Sequence, residues 1–255
     1  MTALPHALDR TITIDAPRDV VFRYFTDSAR WAAWWGAGST IDPRPGGAVL
    51  IRYANGVEVS GEVVSVREPE TIVFTYGYAS GQPVKPGESR VTIALEAGRR
   101  GSTTLHLTHE FADAKVRDMH VQGWRYQLAV FANVVANELH ANAAAAVDGW
   151  FALWAEPDAA ARERALTALA GEDVTFRDQH SCLAGKDDVL PHIEADRRFM
   201  PGVILARDGA VRHCQGQVLA NWIARGPDGQ DVARGTNLFS FGPDRKIQAV
   251  VGFWG

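Results

Sequence analysis

The sequence predicts an α+β protein in two parts: an antiparallel sheet wrapped around a long helix over residues 1–141, then a second helix-and-strand unit over residues 142–255. Three observations carry that prediction. Between residues 41 and 109, segment after segment places apolar residues at every second position, the period of strands with one buried face. From residue 116 onward Val121, Trp124, Leu128, Phe131, Val135 and Leu139 recur at steps of three and four, which puts them on one side of a helix. Beyond residue 142 the order becomes helices first and strands last.

Taken in order, Ile12 and Ile14 alternate with Thr11 and Thr13, a strand over residues 10–15. Asp15, a capping candidate, and Pro17 supply helix-start chemistry, and the helix turns Val20, Val21, Tyr24 and Phe25 inward. Trp31, Trp34 and Trp35 follow within five positions. So large an apolar mass is either core or the wall of a ligand pocket. A proline–glycine turn at residues 43–47, the hairpin signal Asn55-Gly56 and a polar loop at residues 80–87 divide the strands. Their apolar faces carry Val49 and Ile51, Val59 and Val63, Ile72, Phe74, Tyr76 and Tyr78, Val91 and Ile93, then Leu105 and Leu107. His109 is the one titratable group on the apolar face of its strand, either a core imidazole bonded to a neighbour or a pocket group.

The helix after residue 116 meets no proline. It is read as passing through the alanines at 143–146 into a second apolar helix bearing Trp150, Phe151 and Trp154, so that its continuation begins the second part. A sheet wrapped around it encloses an apolar cavity where the inward residues are not all large. Trp34, Trp35, Tyr76, His109 and Trp124 are the candidate ligand-binding residues there.

Several local patterns of this half come in a recognisable order: Ile14-Asp-Ala-Pro17, Trp34-Trp35, Asp42-Pro-Arg-Pro-Gly-Gly47, Gly61-Glu-Val63, Ser89-Arg-Val-Thr92 and Gly123-Trp124. Together, over about residues 8–140, they resemble the helix-grip START-type superfamily (SRPBCC), in the branch related to the activator of the Hsp90 ATPase. The resemblance implies a sheet gripping the C-terminal helix around an apolar pocket. It implies no particular chemistry, because the superfamily holds lipid carriers, hormone receptors and cyclases.

In the second part a tryptophan-rich helix over residues 148–155 ends at Glu156-Pro157. A second helix, residues 158–170, turns Leu166 and Leu169 inward and is closed by Gly171. Residues 173–178 form a short strand. Gly185 starts another helix, with Pro191 placed where early helical positions need no amide donor. Strands follow at residues 203–211, 217–225, 233–241 and 247–254. This order, with Val174-Thr-Phe-Arg-Asp178, Gly185, Gly235-Thr-Asn-Leu-Phe239 and a closing apolar strand, resembles the α+β cone shared by nuclear transport factor 2 (NTF2-like), ketosteroid isomerase and the SnoaL cyclases. It covers about residues 142–255.

Asp178 stands in line with Val174 and Phe176 at a period of two, at the mouth of the cone. In isomerase-like members an aspartate at the matching position moves a proton between carbons of a bound ketone, so Asp178 is the candidate catalytic carboxylate. The alternative is a turn acceptor before Gly185. His180, two residues on, assists from the same face if the strand continues. By chain order Trp150 and Asn237 stand near the isomerases' oxyanion donors; an indole and a carboxamide are weaker donors than a phenol and a carboxylic acid, which argues against a true ketosteroid isomerase. Trp150, Trp154, Trp222 and Trp254 offer flat aromatic walls suited to planar ligands, or serve as core or a dimer face. His213 and Cys214, adjacent on a strand, face opposite ways, and with His180 and Cys182 they match no zinc spacing. His192 and Asp196, four apart on a helix, read as a surface pair.

Composition bounds the rest. A net charge of −4 at pH 7 and no basic–aromatic cluster argue against nucleic acid as a partner. Two cysteines make no disulfide framework, and neither a signal-peptide core nor a membrane-length apolar run occurs, so a cytoplasmic protein with no membrane span is expected. No metal and no cofactor is called for. The reading is a binder of a small hydrophobic molecule (polyketide-, steroid- or lipid-like) in apolar cavities of two fused domains. The alternatives are an isomerase or cyclase using Asp178, and an Hsp90 ATPase activator-like cofactor. Domains of the cone fold often pair through their outer sheet face, so the resemblance also implies a homodimer through the C-terminal domain.

Overall fold

The computed structural model describes residues 3–255, which divide into two compact units, residues up to 136 and residues 137–255. Both are α+β.

In the first unit, β1 (His6–Ile14) starts at His6 rather than at residue 10, because Leu8 extends the buried face that ends at Ile14. α1 (Arg18–Phe22) has Pro17, not Asp15, at its N-cap and no side-chain cap; a 3-10 turn, Arg23–Phe25, extends it. α2 (Ser28–Trp35) does have an acidic cap: the Asp27 carboxylate accepts the Arg30 amide at 2.9 Å. Six strands follow, β2 (Thr40–Ile41), β3 (Ala48–Arg52), β4 (Glu58–Arg67), β5 (Thr71–Tyr78), β6 (Ser89–Ala97) and β7 (Thr103–Phe111). They pair antiparallel in the order β1-β7-β6-β5-β4-β3-β2. Gly61 permits the closest approach between β4 and β5, since a Cβ there would lie 1.8 Å from the Thr75 carbonyl oxygen.

α3 (Ala114–Leu139) opens on Asp113, whose Oδ1 accepts the Lys115 and Val116 amides at 2.7 and 3.0 Å. Its stripe is buried at Trp124, Leu128, Phe131 and Val135. Phe131 packs its ring 5.7, 5.1 and 4.9 Å from those of Tyr24, Phe25 and Trp34. The sequence reading errs at the end of α3. The helix stops at Leu139 and α4 (Ala143–Ala152) begins afresh, so no continuous helix runs from 116 to 156. The interruption is tertiary: His140 Nε2–H donates to the Gly242 carbonyl at 3.0 Å, which holds the chain out of helical continuation. The division between units falls at Ala136/Asn137, inside α3.

In the second unit, α5 (Ala159–Leu169) is capped by Asp158, which accepts the Ala161 amide at 2.6 Å. β8 (Ala170–Arg177) follows without a break, so Gly171 lies within the strand instead of closing the helix. β9 (Cys182–Ala184) was not expected. α6 (Lys186–Phe199) carries Pro191 at its sixth position, past the first turn. The strand expected over 203–211 is two, β10 (Ile204–Arg207) and β11 (Arg212–Cys214), separated at Gly209, whose φ of +84° turns the chain. β12 (Gln217–Arg225), β13 (Asp231–Phe241) and β14 (Ile247–Trp254) complete the sheet, ordered β10-β12-β13-β14-β8-β9, with β11 also on β12. Only the β14–β8 pairing is parallel among the described strands of this sheet. Trp150, Phe151, Leu166, Val189 and Ile193 from α4, α5 and α6 bury against Val174, Val218, Phe239 and Val250 of the sheet. No helix among the described residues is long and apolar enough to cross a membrane.

Candidate functional site

The period-two alternation of the second sheet sends one set of side chains toward the helices. At the end away from the packed core those side chains stop short of α4 and α6, leaving a cavity of about 510 Å3. Phe176 of β8, Gly252 and Trp254 of β14, Asn237 of β13 and Trp222 of β12 form its sheet wall. Trp150 and Phe151 of α4, with Trp154 in the turn after it, face them. Trp150 is fully buried, Trp222 is 5% exposed and Trp254 is 41% exposed, so the aromatic wall runs from the core to the surface. Asp178, His180, Trp150, Trp154, Trp222, Asn237 and Trp254 all line this one cavity.

The polar groups are tied to the indoles. Trp254 Nε1–H donates to Asp178 Oδ2 at 3.1 Å, and the His180 backbone amide donates to Oδ1 at 2.8 Å. β8 ends at Arg177, so Asp178 heads a tight turn with Ser181 and is both a turn acceptor and a cavity group. His180 therefore does not continue the strand face. It is exposed, its ring stands edge-on to Trp254 at 5.5 Å, and its Nε2 accepts from the Gln179 amide at 2.9 Å. Trp222 Nε1–H donates to Asn237 Oδ1 at 3.0 Å. That bond fixes the amide's orientation, and Nδ2 of this 5%-exposed side chain has no protein acceptor among the described residues. Gly252 separates Asp178 from Asn237: a Cβ at this position would sit 3.2 Å from Asp178 Cβ and 3.1 Å from Asn237 Oδ1. The absent side chain leaves both groups open to the cavity.

α6 supplies residues that the sequence reading placed on the surface. His192 and Asp196 line the cavity, as do Ser181 and Arg197. Asp196 Oδ2 accepts Trp154 Nε1–H at 3.3 Å and lies 3.3 Å from His192 Nε2. Ser181 Oγ is also 3.3 Å from that same nitrogen. A serine–histidine–aspartate relay needs the hydroxyl and carboxylate on opposite ring nitrogens, so this trio is no nucleophile system. The missed signal was spacing: positions 192 and 196 share the stripe of Val189 and Ile193, both fully buried.

The five candidates of the first unit do not line this cavity; they pack on one another. Trp34 and Trp35 are 4.2 Å apart by ring centroid, Trp35 and Trp124 5.6 Å, Tyr76 and His109 4.9 Å, and all five are at most 5% exposed. His109 sits in a closed chain of donors. Trp124 Nε1–H donates to His109 Nδ1 at 2.9 Å, so the ring proton is on Nε2, which donates to Ser89 Oγ at 2.9 Å; Ser89 in turn donates to the Tyr76 carbonyl at 2.7 Å. Burial, with the His120 ring adding to it, pushes the His109 pKa well below the usual histidine range. Burial also pushes the neighbouring Tyr53 phenol up to about 12. This arrangement is that of a neutral core imidazole.

His213 donates from Nδ1 to Asn137 Oδ1 and accepts the Gly216 amide on Nε2 at 3.1 Å, while Cys182 and Cys214 are exposed free thiols. No group of three or more His, Cys, Asp or Glu side chains placed to hold a metal occurs among the described residues.

Residues 15–136 match the family described as activator of Hsp90 ATPase homolog 1-like protein. No curated protein matches the chain. Similar solved structures include a SnoaL-like family protein from Agrobacterium tumefaciens, 26% identical, covering 46% of this chain and 98% of that one at a TM-score of 0.43. CalU16 from Micromonospora echinospora is 22% identical over 52% of this chain and 78% of its own, at 0.42. An Hsp90 activator from Plasmodium falciparum is 24% identical over 43% and 75%, at 0.36.

Proposed function

We propose that the second unit binds a small hydrophobic molecule, polyketide-, steroid- or lipid-like, in the tryptophan-walled cavity. The observation that carries this is the cavity itself: about 510 Å3, within the size of drug-sized ligand sites, with flat aromatic walls and a few convergent polar groups. Ala224, 4% exposed on the wall, offers the test. Ala224→Phe fills the space, and binding of an uncharged apolar fluorescent probe such as N-phenyl-1-naphthylamine is expected to fall at least about tenfold, the loss of a good apolar contact set. Unchanged probe affinity contradicts the reading.

A second reading is favoured by one feature, Asp178 and Asn237 flanking Gly252. The Asp178 carboxylate removes a proton from carbon next to a ligand ketone, giving an enolate and the carboxylic acid. Asn237 Nδ2–H donates to the enolate oxygen, and the acid returns the proton to another carbon. Deuterium exchange from solvent into a bound ketone, lost in Asp178→Asn, is its signature; absence of exchange in the wild type for steroid and polyketide ketones excludes it.

Action on an Hsp90-type ATPase is supported by the match over residues 15–136, and an unchanged ATPase rate on mixing with a bacterial Hsp90 removes it. A homodimer would use the outer face of the second sheet, where Leu219, Leu238 and Val251 stand in register; sedimentation velocity reads it directly.

A further inference from the structure

The cavity's charge is one-sided. Asp178 and Asp196 are both carboxylates on its wall, one at the end of β8 and one on α6. Asp178 accepts from an indole and a backbone amide, and Asp196 from an indole, with the His192 imidazole 3.3 Å away. No lysine or arginine pairs with either carboxylate among the described ion pairs. The guanidinium that does line the cavity, Arg197, is already engaged, with the Pro157 carbonyl at 3.4 Å and Glu194 at 3.8 Å. His180 is exposed, and its Nε2 is engaged with the Gln179 amide at 2.9 Å.

Both carboxylates are half-buried, and a ligand that covers them takes their charge out of water, where it needs a partner. Trp150, Trp154, Trp222 and Trp254 line the same cavity, and an indole ring attracts a cation over its face through the ring quadrupole. Three of the four indoles point their N–H edge at a cavity polar group, Trp254 at Asp178, Trp154 at Asp196 and Trp222 at Asn237. Asn237 accepts from Trp222 at Oδ1 and has no protein acceptor for Nδ2 among the described residues, so Nδ2–H is left to donate to a ligand at the wall it lines. A ligand acceptor satisfies it.

Building on the binding reading above, we propose that the ligand is an organic cation: a protonated amine on a flat hydrophobic body that also carries a hydrogen-bond acceptor. Its ammonium is neutralised by Asp178 or Asp196, its rings lie against the tryptophans, and its acceptor meets Asn237. Hydrophobic carboxylates are rejected by the same two aspartates.

The test compares three probes of one shape, 1-naphthylmethylamine, 1-naphthylmethanol and 1-naphthoate, titrated by calorimetry into the full-length protein at pH 7. The amine is expected to bind at least about tenfold tighter than the carboxylate, the scale of one charge-assisted contact, with the alcohol between. In Asp178→Asn and Asp196→Asn the amine-to-alcohol affinity ratio falls, and in the double variant it approaches one. Naphthoate binding as tightly as the amine in the wild-type protein overturns the proposal whatever the variants do, as does a ratio that survives the double substitution. Failure of all three probes to bind at millimolar concentration contradicts the cavity reading beneath it instead.

Discussion

Ser89→Ala is expected to destabilise the first unit by far more than a hydroxyl's size suggests. Ser89 is fully buried and joins two groups, accepting from His109 Nε2–H at 2.9 Å and donating to the Tyr76 carbonyl at 2.7 Å. Alanine leaves both without partners in a dry interior. An orphaned buried donor or acceptor costs roughly 1–3 kcal/mol, so the two together cost about 2–6 kcal/mol. His109→Phe keeps a ring between Phe111 and Trp124 but orphans Trp124 Nε1–H, a cost of about 1–3 kcal/mol. In the double variant the imidazole N–H no longer exists to be orphaned, so the combined loss falls short of the sum by about 1–2 kcal/mol. Amide hydrogen exchange of peptides from β6 and β7, in wild type, both single variants and the double, measures these four free energies. Additive losses, or a Ser89→Ala cost below about 0.5 kcal/mol, refute the closed chain of donors.

Acid should weaken the protein before its carboxylates titrate. Burial lowers the pKa of His109, His120 and His140, the last to about 4. Below the unfolded value near 6.5 the unfolded chain takes up protons that the folded one refuses, so stability is full above that value and lost as pH falls toward 4. For His140 the shift corresponds to at most about 3 kcal/mol, and partial solvent access reduces it to about 1–2 kcal/mol. His140→Gln flattens that part of a urea-stability profile between pH 7 and 4; a profile unchanged by the substitution contradicts the assignment. In the second unit Glu194→Ala strands the guanidinium of Arg162, 3% exposed and held by Glu194 at 2.5 Å and the Glu156 carbonyl at 2.7 Å. A loss of about 2–4 kcal/mol is expected, largely recovered when Arg162→Met is added, and thermal unfolding reads both.

Much of the strand pattern was legible because one-sided burial writes a period of two into the sequence, and β7 at residues 103–111 shows it fully. The tryptophans were singled out by residue type, with core or a dimer face as the alternative; in the structure 222, 252 and 254 share the inward parity of their strands with Asn237 on β13. What stayed hidden depended on partners distant in the chain. The break after Leu139 has no proline or glycine to announce it and comes from His140 reaching Gly242. His192 and Asp196 looked like a surface pair because a polar i, i+4 pair usually is one; only the opening between α6 and the sheet makes that face of the helix a wall. Asp178 illustrates a third limit: cavity group and turn acceptor were read as alternatives, and the turn with Ser181 makes it both.

Native mass spectrometry of the protein taken directly from its host tests the cavity most directly. Wild-type protein is expected to carry a small non-covalent adduct that Ala224→Phe lacks, each chain otherwise appearing at its own sequence mass. An adduct carried equally by the cavity-filled variant, or wild-type protein that arrives bare and takes up no hydrophobic probe, would contradict a ligand site in the second unit.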